Sequence, residues 1–373
     1  DEEETLGSAV RAFIHDFPEL DEVQIAIFGV CDDRNGHQRG SAAMPDKVRP
    51  ELYRLANHWG DDLRVADLGN ILPGETSEDT CHAVRDCVEE LRKRKIIPVI
   101  IGGSQDLTLP VYQGYANLER SVNLVSVDPA LDIQGVTEEN VPLNASSFLG
   151  KVILHQPALL FNLSVVGIQG YYFRQSHHDI MDKLFFDHHR LGDVQSDMAG
   201  TEPILRNADI VSFDMSSVRA SDAPGTDFSN PNGFTGQEAC RIMRYAAISD
   251  KVSSIGLFNG NPTYDDNDRT SRLMGQMIWF IMDGFMARKG DDPITRKDEY
   301  TRYTVTLNEG EHEIVFYKSP FSDRWWMEVP YPPEKRIRFT RHLMVPCNYR
   351  EYEHALEDEM PDLWWKTYQK LIL

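Results

Sequence analysis

The sequence lacks the marks of several large classes of protein. No apolar run reaches the roughly 18–20 residues that a membrane-spanning helix needs, and the five cysteines show no CxxC spacing. An odd, scattered set of cysteines is typical of reduced thiols rather than of a disulfide framework. Basic residues are also scarce, since 38 Lys and Arg stand against 59 Asp and Glu, a net charge of −21. We therefore expect neither nucleic acid nor an anionic membrane as a partner.

The start of the chain and its cysteines bear on location. The first four residues are Asp1-Glu2-Glu3-Glu4, whereas a secretory signal peptide begins with a basic segment. Reduced thiols are typical of the cytoplasm. A cytoplasmic location is therefore expected.

Through about residue 290 the sequence alternates apolar runs, typical of buried strands, with segments of helical periodicity. This alternation predicts an α/β fold of three α/β/α layers around a central, mainly parallel sheet. Residues 1–294 form the predicted main domain, and residues 295–373 form a C-terminal extension packed on this core. Within the extension, alternating residues at 303–307 and 312–317 flank a turn signal and predict a β-hairpin. The predicted helices include 9–17 and 179–191.

Three of the strand-like runs end in polar residues that can bind a ligand. One run ends at Ile101, another at Val127 and a third at Phe213. The carboxyl ends of parallel strands meet at one edge of a sheet, where α/β proteins place their ligands. We therefore expect one shared site, built from the segments that follow these runs: 102–106 (GGSQD), 128–132 (DPALD) and 214–216 (DMS).

In order and spacing these segments resemble the ureohydrolase family, which includes arginase, agmatinase and formimidoylglutamase. The family motifs GGDHS, DxHxD and SFDxD supply two histidines and four aspartates to a pair of manganese ions. Residues 44–49, 223–226 and 232–235 fall at the spacing of further family elements. The resemblance lies nearest to formimidoylglutamase. It implies an arginase-like fold, attack on a guanidine or amidine carbon by a hydroxide that the two metals share, and assembly into trimers or hexamers.

The chain departs from the family at the residues that carry the chemistry. Gln105 stands at the position of the first metal-binding histidine, Ala130 at that of the second, and Ser216 at that of the last aspartate. The resemblance leaves the second metal with only the two bridging carboxylates. Because alanine has no donor atom and serine replaces a carboxylate poorly, a binuclear manganese centre is not expected. The ligands that remain for a single metal are Gln105, Asp128, Asp132 and Asp214.

An all-oxygen ligand set suits a hard cation, Mn²⁺, Mg²⁺ or Ca²⁺, better than zinc. The expected cofactor is therefore one such divalent cation or none. Near the end of the last core strand, Asn259 takes the place of the family's substrate-binding glutamate. A neutral amide cannot pair with a guanidinium as a carboxylate does. No residue is assigned a catalytic role.

Three functions remain open. The leading interpretation is a ureohydrolase-fold protein without the binuclear hydrolase activity, which binds a small molecule at the strand ends or serves as a scaffold. The second is a hydrolase of amidine, guanidine or other linear C–N bonds that uses one hard cation. The third is a module whose C-terminal extension docks a protein partner. The three aspartates also have a structural interpretation, as buried acids that accept hydrogen bonds from backbone amides at strand ends.

Other side chains have a weaker case. Replacement metal ligands would come from His37 or from the pairs 177–178 and 188–189, but adjacent residues on a helix do not face the same way. Exposed positions are therefore favoured for these histidines. Cys31 lies near a strand end, where an inert buried thiol is the simpler interpretation. The aromatic residues of the extension form a partner-binding patch or, as we favour, pack the extension onto the core: Trp325, Trp326, Tyr331, Trp364 and Trp365.

Overall fold

The computed structural model describes residues 4–118, 121–136, 140–307, 310, 312–331 and 340–372. The described chain forms one parallel sheet of nine strands and one antiparallel sheet of four strands. Helices cover the parallel sheet, so the predicted α/β fold is confirmed. The predicted hairpin is also present in the extension, although residues 308, 309 and 311 of its turn lie outside the described residues.

The parallel sheet is built from strands that are buried on both faces over most of its width. Such strands are rich in apolar residues because helices pack on either side of them. The strands are β1 (Arg11–Ala12), β2 (Ile25–Val30), β3 (Val65–Ile71), β4 (Ile97–Ile101), β5 (Val122–Val127), β6 (Leu160–Ile168), β7 (Asp187–Arg190), β8 (Ile210–Asp214) and β9 (Ser254–Phe258). Their order across the sheet is β1-β3-β2-β4-β9-β8-β5-β6-β7.

Ten helices accompany these strands along the described chain. They are α1 (Leu6–Ala9), α2 (Met44–Tyr53), α3 (Ser77–Lys93), α4 (Thr108–Gln113), α5 (Phe148–Leu154), α6 (Gln175–Lys183), α7 (Leu191–Ser196), α8 (Glu202–Arg206), α9 (Gly236–Ala247) and α10 (Arg269–Met286). On one face of the sheet, α2, α7, α8, α9 and α10 bury a hydrophobic cluster. On the other face, α3, α4, α5 and α6 bury a second cluster. The two clusters sandwich the sheet, as the alternation in the sequence predicts.

The extension has its own sheet and its own hydrophobic cluster. Its elements are β10 (Thr301–Leu307), β11 (His312–Lys318), β12 (Trp325–Glu328), β13 (Met344–Cys347), α11 (Tyr349–Leu356) and α12 (Asp362–Ile372). Trp325, Trp326 and Trp364 are buried, whereas Trp365 is exposed. Most of these indoles therefore pack the structure rather than form a surface patch.

A buried arginine joins the extension to the parallel-sheet part. The Arg206 guanidinium, at the end of α8, lies 4.3 Å from the ring centroid of Trp326. It also donates hydrogen bonds to the backbone carbonyls of Trp325 and Cys347, each at 3.2 Å. A second link is the ion pair of Arg341 with Asp209 at 2.6 Å. Because both arginine contacts involve groups that are withdrawn from water, they fix the extension against the core.

Two helix predictions are wrong. Residues 9–17 do not form a helix, since α1 ends at Ala9 and β1 pairs with the edge of β3. The segment continues beside β3, where the Phe13 amide donates to the Asp67 carbonyl at 2.8 Å. The predicted helix over 179–191 is instead the end of α6, the strand β7 and the start of α7. The polar sequence of β7 did not indicate a strand. An edge strand pairs on one side only, so it needs no continuous apolar run.

The described helices carry no candidate for a membrane span. None of them is both long enough and apolar enough to cross a bilayer. This agrees with the short apolar runs of the sequence.

Candidate functional site

The strand order brings the predicted site residues to one place. The strands β4, β9, β8 and β5 are neighbours in the sheet and run parallel. Gln105 follows β4, Asn259 follows β9, Asp214 ends β8 and Asp128 follows β5. All four residues are buried, and Asp132 in the loop after β5 is partly buried. The carboxyl edge of the sheet therefore gathers these side chains from four separate segments.

The Gln105 side chain reaches between two of the carboxylates. Both atoms of its amide find hydrogen-bond partners when the nitrogen faces the acids. The nitrogen then donates to Asp128 Oδ2 at 3.0 Å and to Asp214 Oδ2 at 3.2 Å. In this orientation its oxygen accepts from the hydroxyls of Ser126 and Ser212, each at 3.2 Å. The opposite orientation would turn the amide oxygen towards the carboxylates, where neither atom could donate unless an acid held a proton. The hydrogen bonds therefore assign Gln105 as a donor to the two acids.

Asn259 adds a second amide to this network. Its side-chain nitrogen donates to Asp214 Oδ2 at 2.9 Å, and its side-chain oxygen accepts from the Gln105 backbone amide at 3.1 Å. The residue has a positive φ of 61°, a conformation that asparagine tolerates better than most residues. Its backbone amide donates to the Gly103 carbonyl at 2.8 Å. Asn259 is thus held by β4 and β8 together, with its side chain turned into the site.

The acids take further hydrogen bonds from the backbone. Asp128 accepts from the amide of Ala130 at 2.8 Å, and Asp214 accepts from the amide of Ser216 at 2.7 Å. Each is the turn that an aspartate makes with the residue two positions on. These bonds agree with the structural interpretation of the acids, which expected backbone amides as their partners.

Burial raises the pKa of all three acids. For Asp128 the charges of Asp132 and Asp214 raise the pKa further, and for Asp132 the charge of Asp214 does so. Asp128 and Asp132 are close enough for each carboxyl group to influence the pKa of the other. Like charges that are withdrawn from water cannot all remain ionised without a cation or a proton.

The Gly102-Gly103 turn after β4 is a place of close backbone approach. A Cβ atom added at Gly103 would lie 1.9 Å from the backbone oxygen of Asp32, which belongs to the loop after β2. Only glycine allows the two backbones to come this close. The turn therefore sets the position of Gln105 two residues further along.

The loop after β2 holds acidic residues that the sequence analysis did not single out. Asp33 accepts from the amides of Gly40 at 2.7 Å and of Ala42 at 3.2 Å, and Asp32 pairs with Arg34 at 2.6 Å. These side chains tie the loop together. Aspartates that bond to nearby amides within a Gly-rich stretch are the signal that could have indicated this.

The histidine pairs considered as replacement ligands lie away from the strand-end acids, and they are half-buried where exposed positions were expected, whereas His37 is exposed. His177 and His178 are on α6 and His188 is on β7, where the rings of His178 and His188 lie 5.0 Å apart. The ring of His37 packs edge-on against Phe228, with 5.1 Å between the ring centroids. Burial raises the pKa of the Cys31 thiol, as does the nearby Asp46. Within the described part of the chain, no three His, Cys, Asp or Glu side chains are arranged to hold a metal ion.

Comparison with known proteins gives the same family for most of the chain. The model of the family described as "Arginase family" matches residues 23–283. The formimidoylglutamase of Lysinibacillus sphaericus is 22% identical over 297 residues, which cover 75% of this chain and 90% of that protein. The formimidoylglutamase of Clostridium tetani is 22% identical over 284 residues, covering 71% of this chain and 84% of that protein.

Solved structures share the fold. Formiminoglutamase of Trypanosoma cruzi with Mn²⁺ superimposes with a TM-score of 0.66 at 20% identity, covering 74% of this chain and 100% of that one. Formimidoylglutamase of Bacillus subtilis gives a TM-score of 0.67 at 17% identity, covering 77% and 94%. The segments that the sequence analysis identified, in the order and on the strand ends described above, fall within the matched residues. This chain belongs to the arginase family.

Proposed function

We propose that this chain is an arginase-family protein whose strand-end site does not support two-metal hydrolysis, and that it acts as a binding or scaffold protein. The observation that carries the proposal is the Gln105 amide, whose nitrogen lies 3.0 Å from Asp128 and 3.2 Å from Asp214. In the family resemblance these two carboxylates are the groups shared by both metals. A donor group that bonds to both of them takes the place of a cation.

The other departures agree with this proposal. Ala130 offers only a methyl group, and the backbone amide of Ser216 already donates to Asp214. A second metal would therefore have few oxygen or nitrogen ligands apart from the shared acids. The site residues as they stand do not fit a binuclear manganese centre, and we derive no reaction through one.

A non-catalytic role is consistent with the hydrogen bonds that the buried acids of the site already accept. Gln105 and Asn259 hold Asp128 and Asp214 through hydrogen bonds that a catalytic centre would have to break before it could take up metal. A small-molecule ligand at the strand ends and a protein partner at the extension both remain proposals. So does a cytoplasmic location, which the five unpaired cysteines support.

The alternative function is hydrolysis of an amidine, guanidine or other linear C–N bond with one hard cation. The observation in its favour is that Asp128 and Asp214 are buried and that both Asp214 and the partly buried Asp132 lie near enough to raise the pKa of Asp128. A cation there would lower the raised pKa values of these acids and would require the Gln105 amide to turn its oxygen inward. Mn²⁺, Mg²⁺ or Ca²⁺ suits such a ligand set.

An activity assay with a matched inactive variant separates the two functions. The purified full chain is incubated with added Mn²⁺ and, in turn, with arginine, agmatine, guanidinobutyrate and formimidoylglutamate, while release of urea, ammonia or formamide is followed. We expect no turnover above that of an Asp128→Asn variant. Turnover in the natural chain that Asp128→Asn abolishes would contradict the proposal and establish the hydrolase.

Metal analysis tests for the single-cation hydrolase without requiring that its substrate be among those four compounds. After dialysis against saturating Mn²⁺ and then against buffer, we expect less than one equivalent of metal in both the natural chain and the Asp128→Asn variant. One equivalent in the natural chain that is absent from the variant would favour the single-cation hydrolase. Two equivalents would refute the proposal directly.

A further inference from the structure

The C-terminal extension encloses a cleft against the edge of the parallel sheet. The cleft has a volume of about 660 Å³, within the usual range of small-molecule sites. One wall comes from β6, β7, α7 and α8, and the other from β13, α11 and α12. The family match ends at residue 283, so the second wall is outside the matched part of the chain. Neither Gln105 nor the three strand-end acids line the cleft.

The floor of the cleft is polar, although it belongs to the same sheet as the apolar core. Asn162 and Ser164 alternate along β6, and Asp187 and His189 alternate along β7, so each pair points to one face of its strand. Ser164 lies opposite Asp187 in the parallel pairing, and all four residues line the cleft. Polar side chains are costly to bury unless they have partners. Hydrophobic packing therefore does not explain this floor.

Helix α12 places two lysines one turn apart at the floor: Lys366 lines the cleft, and Lys370 lines a smaller adjoining cavity behind it. Lys366 Nζ lies 2.9 Å from Asp187 Oδ1, and Lys370 donates to Asn162 Oδ1. Burial lowers the pKa of Lys370 to about 8, which still leaves it mostly charged at neutral pH. Burial lowers the pKa of His189 as well, so this ring adds little charge. Two ammonium groups thus face the single carboxylate of Asp187, and the floor carries an excess positive charge.

A smaller cavity beside the floor holds unpartnered polar atoms. It shares Asn162 and Asp187 with the cleft, and its volume of about 10 Å³ suits about one water molecule. Within the described residues, Asn123 Oδ1 and His342 Nδ1 line this cavity without a hydrogen-bond partner. Both residues are only 2% exposed. Because buried polar atoms without partners are costly, a polar group that enters from the cleft, or a water that it binds, would satisfy them.

The mouth of the cleft has the opposite charge. Asp193 of α7, Glu359 before α12 and Asp362 of α12 are exposed carboxylates that line it. The one guanidinium among the lining residues, Arg350, lies 3.5 Å from Asp197 and is partly neutralised by it. The cleft is therefore positive at its floor and negative at its mouth. A ligand that carries only one sign of charge would be repelled at one of these ends.

We propose that this cleft binds a small zwitterion, namely a free amino acid or a short peptide with both termini charged. Its carboxylate bonds to Lys366 on the floor, with the charge of Lys370 behind it, and its ammonium group lies among Asp193, Glu359 and Asp362 at the mouth. Charge-assisted hydrogen bonds at the floor supply most of the affinity. The site does not depend on the state of the strand-end acids, so it stands whether or not the proposed loss of hydrolysis is correct.

Ligand-observed NMR on the full chain tests this proposal. The probes are the free L-amino acids and their glycyl dipeptides at millimolar concentration, each beside its N-acetyl and C-amide derivatives. We expect at least one zwitterion to bind and each of its blocked derivatives to bind about tenfold more weakly or not at all. Failure of every zwitterion to bind would overturn the proposal, as would equal binding of both blocked derivatives.

Variants locate the binding. Lys366→Met should weaken the bound zwitterion about tenfold, and Asp193→Lys, at an exposed position, should also weaken it. Lys289→Met, which changes an exposed lysine elsewhere, and Asp214→Asn at the strand ends should leave binding unchanged. Circular dichroism checks that each variant is folded. If Lys366→Met does not fold, the test uses Asp193→Lys in its place. Unchanged binding in a folded floor or mouth variant, or loss of binding in Asp214→Asn alone, would refute the assignment.

Discussion

Asn259 Nδ2 lies 2.9 Å from Asp214 Oδ2, across the carboxyl ends of the neighbouring strands β9 and β8. By resemblance, a carboxylate at position 259 would face the cationic group of a substrate. The amide that stands there instead donates to an acid of its own protein. A position associated with substrate recognition therefore serves, in this chain, to hold the strand ends together.

Removing the Gln105 amide should destabilise the fold. Gln105→Ala leaves Asp128 and Asp214 without the donors at 3.0 and 3.2 Å and opens a space in a fully buried place. We expect the free energy of unfolding to fall by about 1–3 kcal/mol, measured by urea denaturation. Gln276→Ala, on the exposed face of α10, is the matched control and should change it by less than about 0.5 kcal/mol. Equal effects of the two substitutions would argue against the network.

Restoring the three lost ligand types should restore metal binding. The triple variant Gln105→His, Ala130→His, Ser216→Asp removes the competing amide donor and supplies the two imidazoles and the carboxylate that the family resemblance calls for. We expect it to retain about two Mn²⁺ per chain after dialysis, whereas the natural chain retains less than one. A variant that folds but binds no more Mn²⁺ than the natural chain would show that more than these three side chains has changed.

The link between the parallel-sheet part and the extension should depend on Arg206. Arg206→Met removes the stacking on Trp326 and the two hydrogen bonds to backbone carbonyls. The substitution also removes the ion pair of Arg206 with Glu202 at 2.9 Å. Glu202 would still pair with Arg324, whose Nε lies 3.3 Å from it. We expect a loss of about 2–4 kcal/mol in the free energy of unfolding. The exposed Arg302 of β10 provides the control, since Arg302→Met should have little effect. Equal free energies of unfolding in Arg206→Met and Arg302→Met would argue against this link.

Lys370 should make stability depend on pH in a defined window. Burial lowers its folded-state pKa to about 8, whereas in the unfolded chain it is about 10.4. Between these values the unfolded chain binds more protons, so stability rises with pH there. We expect the unfolding free energy of the natural chain to gain about 1–3 kcal/mol relative to Lys370→Met between about pH 8 and 10.4. A constant difference between the two proteins across this window would contradict the shift.

The sequence was most informative where a strand is apolar on both faces. The apolar runs that end at Ile101, Val127 and Phe213 are the strands β4, β5 and β8, and each strand ends at that residue or one residue later. Burial on both faces demands a continuous apolar run, and few other elements produce one of this length. Strands at the sheet edges lack this constraint. For that reason β7, with the sequence DHHR, was assigned to a helix, and the two-residue β1 was not foreseen.

Apolar residues also misled the prediction at the N-terminus. Phe13, Ile14 and Phe17 lie in the segment predicted to form a helix over 9–17, but all three are exposed in the structure. Periodicity predicts a helix only when the periodic side chains have a core to face. In the extension, β12 was missed because its two tryptophans stand in a Pro-rich stretch that does not alternate clearly.

For the site, the sequence indicated which residues meet but not how they bond. The motif order placed Gln105, Asp128 and Asp214 on neighbouring strand ends, and the structure brings them together. Whether Gln105 turns its oxygen or its nitrogen towards the acids depends on the hydroxyls of Ser126 and Ser212 behind it. That arrangement is a product of tertiary packing and is not visible in the order of residues. The metal-binding role assigned to these residues stays a prediction.

The two ends of the parallel sheet are short and polar. β1 contributes two residues, and β7 contributes four, with Lys366 of α12 bonded to Asp187 on it. Short edges that carry charge offer little template for strand addition from a second molecule. Any trimer or hexamer of this chain is therefore not expected to join by continuing the parallel sheet from one molecule to the next. The same edges should also protect the parallel sheet from edge-to-edge aggregation when the protein is concentrated.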